Sequence, residues 1–330
     1  MLNPQAKLKE TIFDNPDAAA TRDGFGRGLV EAADADPRVI ALCADLTEST
    51  RVEEFKKKYP ARFIEVGVAE QNLASLASGF AAYGKVPFIT SYAAFSPGRN
   101  NEQIRTTISL NNVRVKICGM HAGVSVGPDG ATHQALEDIA LMRVQPHMTV
   151  IVPCDAEEAR KATVAAAKWN GPVYLRFGRE KTPVMTSTET PFEIGKAEIF
   201  LHAENPRAVI FATGALVYNA LAAGKQLGDS GVGVTVVNVA TVKPLDRETI
   251  INEARKTGAV VTVEEHQIAG GLGSAIAELL AAESPVPIEF IGVHDCFGQS
   301  GEPKELLEHY GMGVLHIVES VQRVIARKSL

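Results

Sequence analysis

A chain of 330 residues with 45% hydrophobic content carries enough apolar material for two packed α/β cores, since single cores seldom grow beyond roughly 200 residues. Its net charge of -6, with lysine and arginine scattered among aspartate and glutamate, leaves no basic stripe for nucleic acid. Residues 1–21 hold no apolar leader segment and no uncharged apolar run approaches roughly 18 residues, so a soluble, cytoplasmic protein without membrane contact is expected.

From Val39 onward short β-rich runs alternate with helical patterns. The runs are VIALCAD (39–45), FIEVGV (63–68), VPFITSY (86–92), VRVKICGM (113–120), MTVIVPC (148–154) and VYLRFG (173–178). Helices are predicted between them over 70–82, 133–143 and 155–169. Such alternation is the pattern of βαβ units on a parallel sheet. TPVMTSTETPFE (182–193), rich in Pro, Thr and Ser, reads as a domain linker. A second series follows: RAVIFATG, VGVTVVNVAT, AVVTVEE and IEFIGV, again with helices between. Cys43, Cys118, Cys154 and Cys296 are widely spaced, with no CxxC pair, and read as free thiols.

In open parallel sheets ligands bind beyond the carboxyl ends of the strands. Asp45 and Leu46 follow the first run, Glu70 the second, Tyr92 and Phe95 the third, His121 the fourth and Arg179 the last. Any one of these polar residues could sit on a solvated rim by chance; five successive turns carrying one make chance less attractive. Glu70 opens a helix, where an acidic residue is favoured by about 0.3–1 kcal/mol whatever its function. Held in an apolar pocket, its carboxyl would have a raised pKa and could share a proton with a ring nitrogen. Tyr92 and Phe95 are either core or a platform for a planar heterocycle, which beside a protonated glutamate suggests an aminopyrimidine.

HAGVSVGPDGATHQ (121–134) is a glycine-rich loop that places His121, Asp129 and His133 together ahead of a helix. Such loops are usually only turns. Two imidazoles and a carboxylate could also grip a polyol and move protons. Their spacing is not that of a zinc site, and no metal is expected on this chain. Arg22 and Arg179 are candidate anion clamps, with the Ser49 hydroxyl beside them, although each arginine alone reads as well as a surface residue. GGLGSA (270–275) follows a strand and opens a helix. It matches the dinucleotide fingerprint only in part, lacks the distal acidic residue, and is not read as an NAD site.

Together CADLTEST, FIEVGVAEQN and HAGVSVGPDGATHQ resemble the thiamine diphosphate enzymes of the transketolase family. The likeness runs from ATRDGFGRGL to FGQSGEPKELLEHYG. It implies an α/β protein of two doubly wound domains: a parallel-sheet pyrimidine-binding domain over 1–185 and a smaller, mixed-sheet C-terminal domain over 195–330. By position, Glu70 resembles the glutamate that drives the cofactor's aminopyrimidine to its imino form for C2 deprotonation, and Tyr92, Phe95, Asp45 and Leu46 its cofactor neighbours. His121, Asp129 and His133 match contacts to the sugar, with His121 and His133 as proton-transfer candidates. Arg22, Ser49 and Arg179 match sugar-phosphate contacts.

The family's magnesium-binding GDG motif does not occur in this sequence. The resemblance therefore implies a split transketolase whose partner subunit binds magnesium and the diphosphate, in a heterotetramer with two copies of each chain. Half of a 1-deoxyxylulose-5-phosphate synthase and the β subunit of a 2-oxo acid dehydrogenase share such a glutamate. The loop with His121, Asp129 and His133 favours transketolase, and the presence of Glu70 disfavours a non-catalytic scaffold.

Overall fold

The computed structural model describes residues 1–328. The first half runs β1 (Ala18–Ala20), α1 (Thr21–Ala35), β2 (Val39–Cys43), α2 (Glu53–Lys58), β3 (Phe63–Glu65), α3 (Glu70–Ala82), β4 (Val86–Tyr92) and α4 (Asn101–Gln103). It continues with β5 (Lys116–Met120), α5 (Asp138–Arg143), β6 (Thr149–Ile151), α6 (Ala156–Lys168), β7 (Val173–Arg176) and β8 (Lys181–Pro183). The second half runs β9 (Glu198–Leu201), β10 (Ala208–Ala212), α7 (Val217–Asp229), β11 (Val234–Asn238), β12 (Thr241–Lys243), α8 (Arg247–Thr257) and β13 (Val260–Gln267). After these come α9 (Leu272–Glu283), β14 (Ile288–Val293), α10 (Pro303–His309) and α11 (Val314–Lys328).

Six parallel strands form a sheet in the order β6-β7-β5-β4-β2-β3, and β12, supplied by the second half, pairs antiparallel with β6 at its edge. β2 and β5 are buried along their whole length, as strands covered on both faces must be, which is why VIALC is uniformly apolar. The second sheet, β14-β13-β10-β11-β9, is parallel except for β9. Each sheet is mixed, and the larger is dominated by parallel pairs.

Close packing of α1 on α6 depends on glycine. A Cβ on Gly24 would overlap the Ala156 carbonyl oxygen, so no larger residue fits while the helices stay this near.

Residues 2–12 also touch the second half: Leu2 bridges Leu201, Asn3 donates to the Phe200 carbonyl, and Ala6 and Ile12 are buried in the core of the second sheet. The 182–193 segment between the halves is pinned, because β8 pairs with β1 and Asp155 accepts from the amides of Met185 and Thr186 at 2.7 and 2.6 Å. One expectation needs correction. The helix read over 133–143 begins only at Asp138. Ala122 pairs with Ala135, and Gln134 donates to Val124 and Gln299 carbonyls, so the backbone around His133 is held as loop.

Candidate active site

β7, β5, β4, β2 and β3 lie side by side, so the turns that leave their carboxyl ends meet along one rim of the sheet. β4 delivers Tyr92, and the turn after it delivers Phe95. Their rings are nearly parallel, 18° apart, with centroids separated by 6.0 Å. The His121 ring lies 4.1 Å from Tyr92, and His133 meets Phe95 edge-on at 5.4 Å. Tyr92 donates its hydroxyl to Ser49 Oγ at 3.1 Å.

Arg22, from the first turn of α1, reaches the same place. Its Nη1 donates to the Ser49 carbonyl at 3.0 Å and to His121 Nε2 at 2.7 Å. A guanidinium can only donate, so Nε2 is the acceptor and the His121 proton resides on Nδ1. That Nδ1 is buried without a protein partner, and so is Arg22 Nε. Burial first, then the charges of Arg22, Arg179, Arg51 and His133, pushes the His121 pKa down to about 3. At neutral pH it is therefore an uncharged hydrogen-bond donor. His133 Nδ1 lies 2.9 Å from the Thr132 hydroxyl.

Arg179 Nη1 donates to the Val126 carbonyl at 3.1 Å and pairs with Asp129 Oδ1 at 3.4 Å. The two residues expected to divide between phosphate and sugar thus form an ion pair, each about a third exposed. The loop beneath them turns at Gly123, with φ +92. A Cβ there would collide with Glu265 Oε1, and that carboxylate accepts from the Ser125 amide at 2.6 Å.

Glu70 starts α3 with its side chain 1% exposed, but the surroundings are not apolar. Arg99 Nη1 pairs with its Oε2 at 2.7 Å, the Ser91 hydroxyl donates to Oε1 at 3.4 Å, and Asn100 donates to its backbone carbonyl at 2.9 Å. The Arg99 guanidinium also lies over the Phe95 ring, 4.8 Å from its centroid. Asp45, in a left-handed conformation with φ 59, is exposed, and Leu46 packs into the core below. Their turn is anchored by Glu65, which accepts from the Asp45 amide at 2.7 Å and the Thr47 hydroxyl at 3.0 Å.

Sequence reasoning missed Arg99, Glu65 and the support under the loop. There Arg176 donates to Asp138 at 2.8 Å and to the Glu265 carbonyl at 2.8 Å, and Tyr174 donates to Asp138 at 2.6 Å. An arginine inside the apolar run VYLRFG was the available sign of a buried partner. The GGLGSA turn is satisfied internally: the Leu272 and Gly273 amides donate to Glu264, at 2.7 and 2.8 Å, so a carboxylate of the chain takes the place a phosphate would fill. Cys43, Cys118 and Cys154 are buried free thiols and Cys296 is exposed. No helix among the described residues is long and apolar enough to cross a membrane.

The chain matches two family descriptions, "Transketolase, pyrimidine binding domain" over residues 17–185 and "Transketolase, C-terminal domain" over residues 195–317. It is 40% identical, over 93% of its length and 95% of the other's, to the 6-deoxy-6-sulfo-D-fructose transketolase subunit of Clostridium sp. (strain MSTE9). Against an apulose-4-phosphate transketolase subunit of Phocaeicola vulgatus the identity is 37%, covering 89% and 93% of the two chains. Among solved structures, a chain described as "Split gene transketolase, inactive beta4 tetramer" superposes with a TM-score of 0.87 at 44% identity, covering 94% of this chain and 99% of that one.

Proposed function

Because the chain belongs to the transketolase family, a membership carried by both matched domains and by relatives of 37% to 44% identity, we propose that it is the pyrimidine-binding subunit of a split, cytoplasmic transketolase. In this reading it transfers two-carbon ketol units between sugars that end in an anionic group. The observation that carries the proposal is the convergence of Glu70, the Tyr92–Phe95 pair, His121, His133, Arg22 and Arg179 at the carboxyl ends of neighbouring strands.

The residues present suit thiamine diphosphate. A planar cation, the Arg99 guanidinium, already bridges the Phe95 face and Glu70 Oε2, the two contacts that an aminopyrimidine needs. Phe95 would carry the ring, with Tyr92 behind it and the Asp45–Leu46 turn alongside. Glu70 would hold a proton at a ring nitrogen. When bound, this cofactor supplies the carbon nucleophile that attacks a ketose carbonyl.

The chain's own side chains then handle the sugar. Nδ1–H of neutral His121, without a protein partner, would donate to a sugar hydroxyl, and the partly exposed His133 would move a proton at a substrate oxygen. Arg22, with Nε unpaired, would grip the terminal anion, with the Ser49 hydroxyl beside it. Asp129 and Arg179 would close the loop over the polyol as a pair.

A sequence without a GDG motif leaves magnesium and the diphosphate to a partner subunit in a tetramer with two copies of each chain. An exposed apolar face on and beside α3 supports this: Val68 is 70% exposed just before the helix, and Tyr83, 92% exposed, lines a cleft of about 550 Å³ with Asn72, Leu76 and Phe80. The split-gene relative's homotetramer is described as inactive. The test is to assay the purified chain with magnesium and cofactor, then to add a GDG-bearing subunit. Ketol transfer should appear only in the mixture, and turnover by the chain alone would refute the proposal.

A further inference from the structure

Arg99 has no part in the chemistry above, yet it lies between Phe95 and Glu70, the two residues assigned to the pyrimidine. Its backbone amide donates to the Phe95 carbonyl at 2.9 Å, one turn back, which directs its side chain over the Phe95 ring. The guanidinium is flat and positively charged. It lies 4.8 Å from the ring centroid, and Nη1 reaches Glu70 Oε2 at 2.7 Å. An aromatic face on one side and a buried carboxylate at the edge form a receptor for a planar cation or protonated heterocycle.

Burial gives Glu70 a need for such a partner. A carboxylate 1% exposed without compensation is strongly disfavoured, and the Ser91 contact, at 3.4 Å, is long for a hydroxyl donor. Arg99 itself remains 49% exposed, so one side of it faces solvent and the stem has room to swing outward. The backbone need not follow. Asn100, fully buried, ties the segment to the Glu70 carbonyl at 2.9 Å and to Ser96 Oγ at 3.1 Å.

Resting on the transketolase reading above, we propose that Arg99 is a displaceable occupant of the pyrimidine pocket: it neutralises Glu70 and covers Phe95 in the partner-free chain, and surrenders both contacts when the cofactor's aminopyrimidine enters. Arg99 is then a positioning residue. It holds the Glu70 carboxyl correctly turned before loading, and it weakens cofactor affinity because its own contact must be broken first. The net effect is a preference for loading when the partner's diphosphate site adds its share of binding, since an aminopyrimidine alone must compete with a tethered cation.

The test measures cofactor affinity by quenching of protein fluorescence in the reconstituted complex with magnesium, together with thermal midpoints of the chain alone. Arg99→Gln removes the charge and should tighten the thiamine diphosphate Kd by about tenfold, the worth of one charge-assisted contact, while lowering the midpoint of the isolated chain. Arg99→Lys keeps a charge but not the flat fork, and should give an intermediate Kd; it carries the test if the glutamine variant fails to fold. In a Glu70→Gln background, which has no carboxylate to neutralise, Arg99→Gln should change the Kd by less than about twofold. A side chain that only braced the fold would not depend on Glu70 in this way.

A Kd that is unchanged or weaker in Arg99→Gln overturns the proposal, because Arg99 would then be a bystander or a permanent cofactor ligand. Wild-type complex that binds no cofactor at all overturns the transketolase reading, and this proposal with it. Normal wild-type binding without tightening in the variant overturns only the proposal.

Discussion

Replacing Arg22 by methionine keeps most of the stem that packs at the start of α1 and removes the guanidinium. Nη1 serves two protein acceptors, the Ser49 carbonyl at 3.0 Å and His121 Nε2 at 2.7 Å, whereas Nε has none, so an incoming anion finds an arginine already aimed and with donor capacity in reserve. A charge-assisted hydrogen bond contributes about 1.5–3 kcal/mol, so kcat/KM for a phosphorylated or sulfonated ketose should fall roughly 10- to 150-fold. Hydroxypyruvate lacks the terminal anion and should lose far less. The substitution also strips His121 Nε2 of its donor, and a buried acceptor left unpaired costs about 1–3 kcal/mol of stability, visible as a lower urea midpoint. His121 stays neutral in the variant, because burial, the leading cause of its low pKa, is untouched. Steady-state kinetics on both donors in the reconstituted enzyme decide the matter. Equal losses on the two substrates would make Arg22 a strut for His121 and refute its role as the anion clamp.

Glu70→Gln in the assembled enzyme should lower turnover by at least about 100-fold, with slower deuterium exchange at the cofactor C2; unchanged exchange would remove Glu70 from the chemistry. Asp138→Ala should destabilise the chain by about 3–5 kcal/mol by leaving the buried Arg176 cation without its partner, and Asp138→Leu with Arg176→Met should recover most of the loss in a denaturant titration. Burial pushes the Asp138 carboxyl up, but Arg176 and His266 bring it to a net value below the usual one. Its contribution is therefore complete above the ordinary carboxylate range and is lost as pH falls below that range. In NMR titrations the His121 ring should show no protonation between pH 5 and 8, consistent with its pKa of about 3, and a midpoint near the usual histidine value would contradict the Arg22 geometry.

Much of the larger sheet was legible because parallel strands buried on both faces tend to be uniformly apolar, as VIALC is. The site rim followed from the rule that polar residues just beyond such strands face the crevice. Pair relations were not legible. Asp129 with Arg179 and Glu70 with Arg99 are side-chain partnerships across turns, and spacing along the chain carries no record of which acid meets which base. The apolar surroundings expected for Glu70 were inferred from the sequence of its own helix. The cation came from a different turn, 29 residues later. The anchoring of the 182–193 segment was not legible for a related reason, since its composition is that of a loop but its Met185 and Thr186 amides are captured by Asp155.

The pairing of Leu2 with Leu201 and of Asn3 with Phe200 bears on how the chain is made. Residues 1–12 leave the ribosome well ahead of β9, which follows about 200 residues later, on the order of 10–40 s at ordinary elongation rates. For that interval Leu2, Ala6 and Ile12 lack the strands of the second sheet, while β2 to β7 can already pair. The six parallel strands can thus assemble before this segment is fully held, and the smaller sheet captures it as it condenses. A nascent-chain protease should accordingly cut within residues 1–12 until β9 is available, and spare them afterwards.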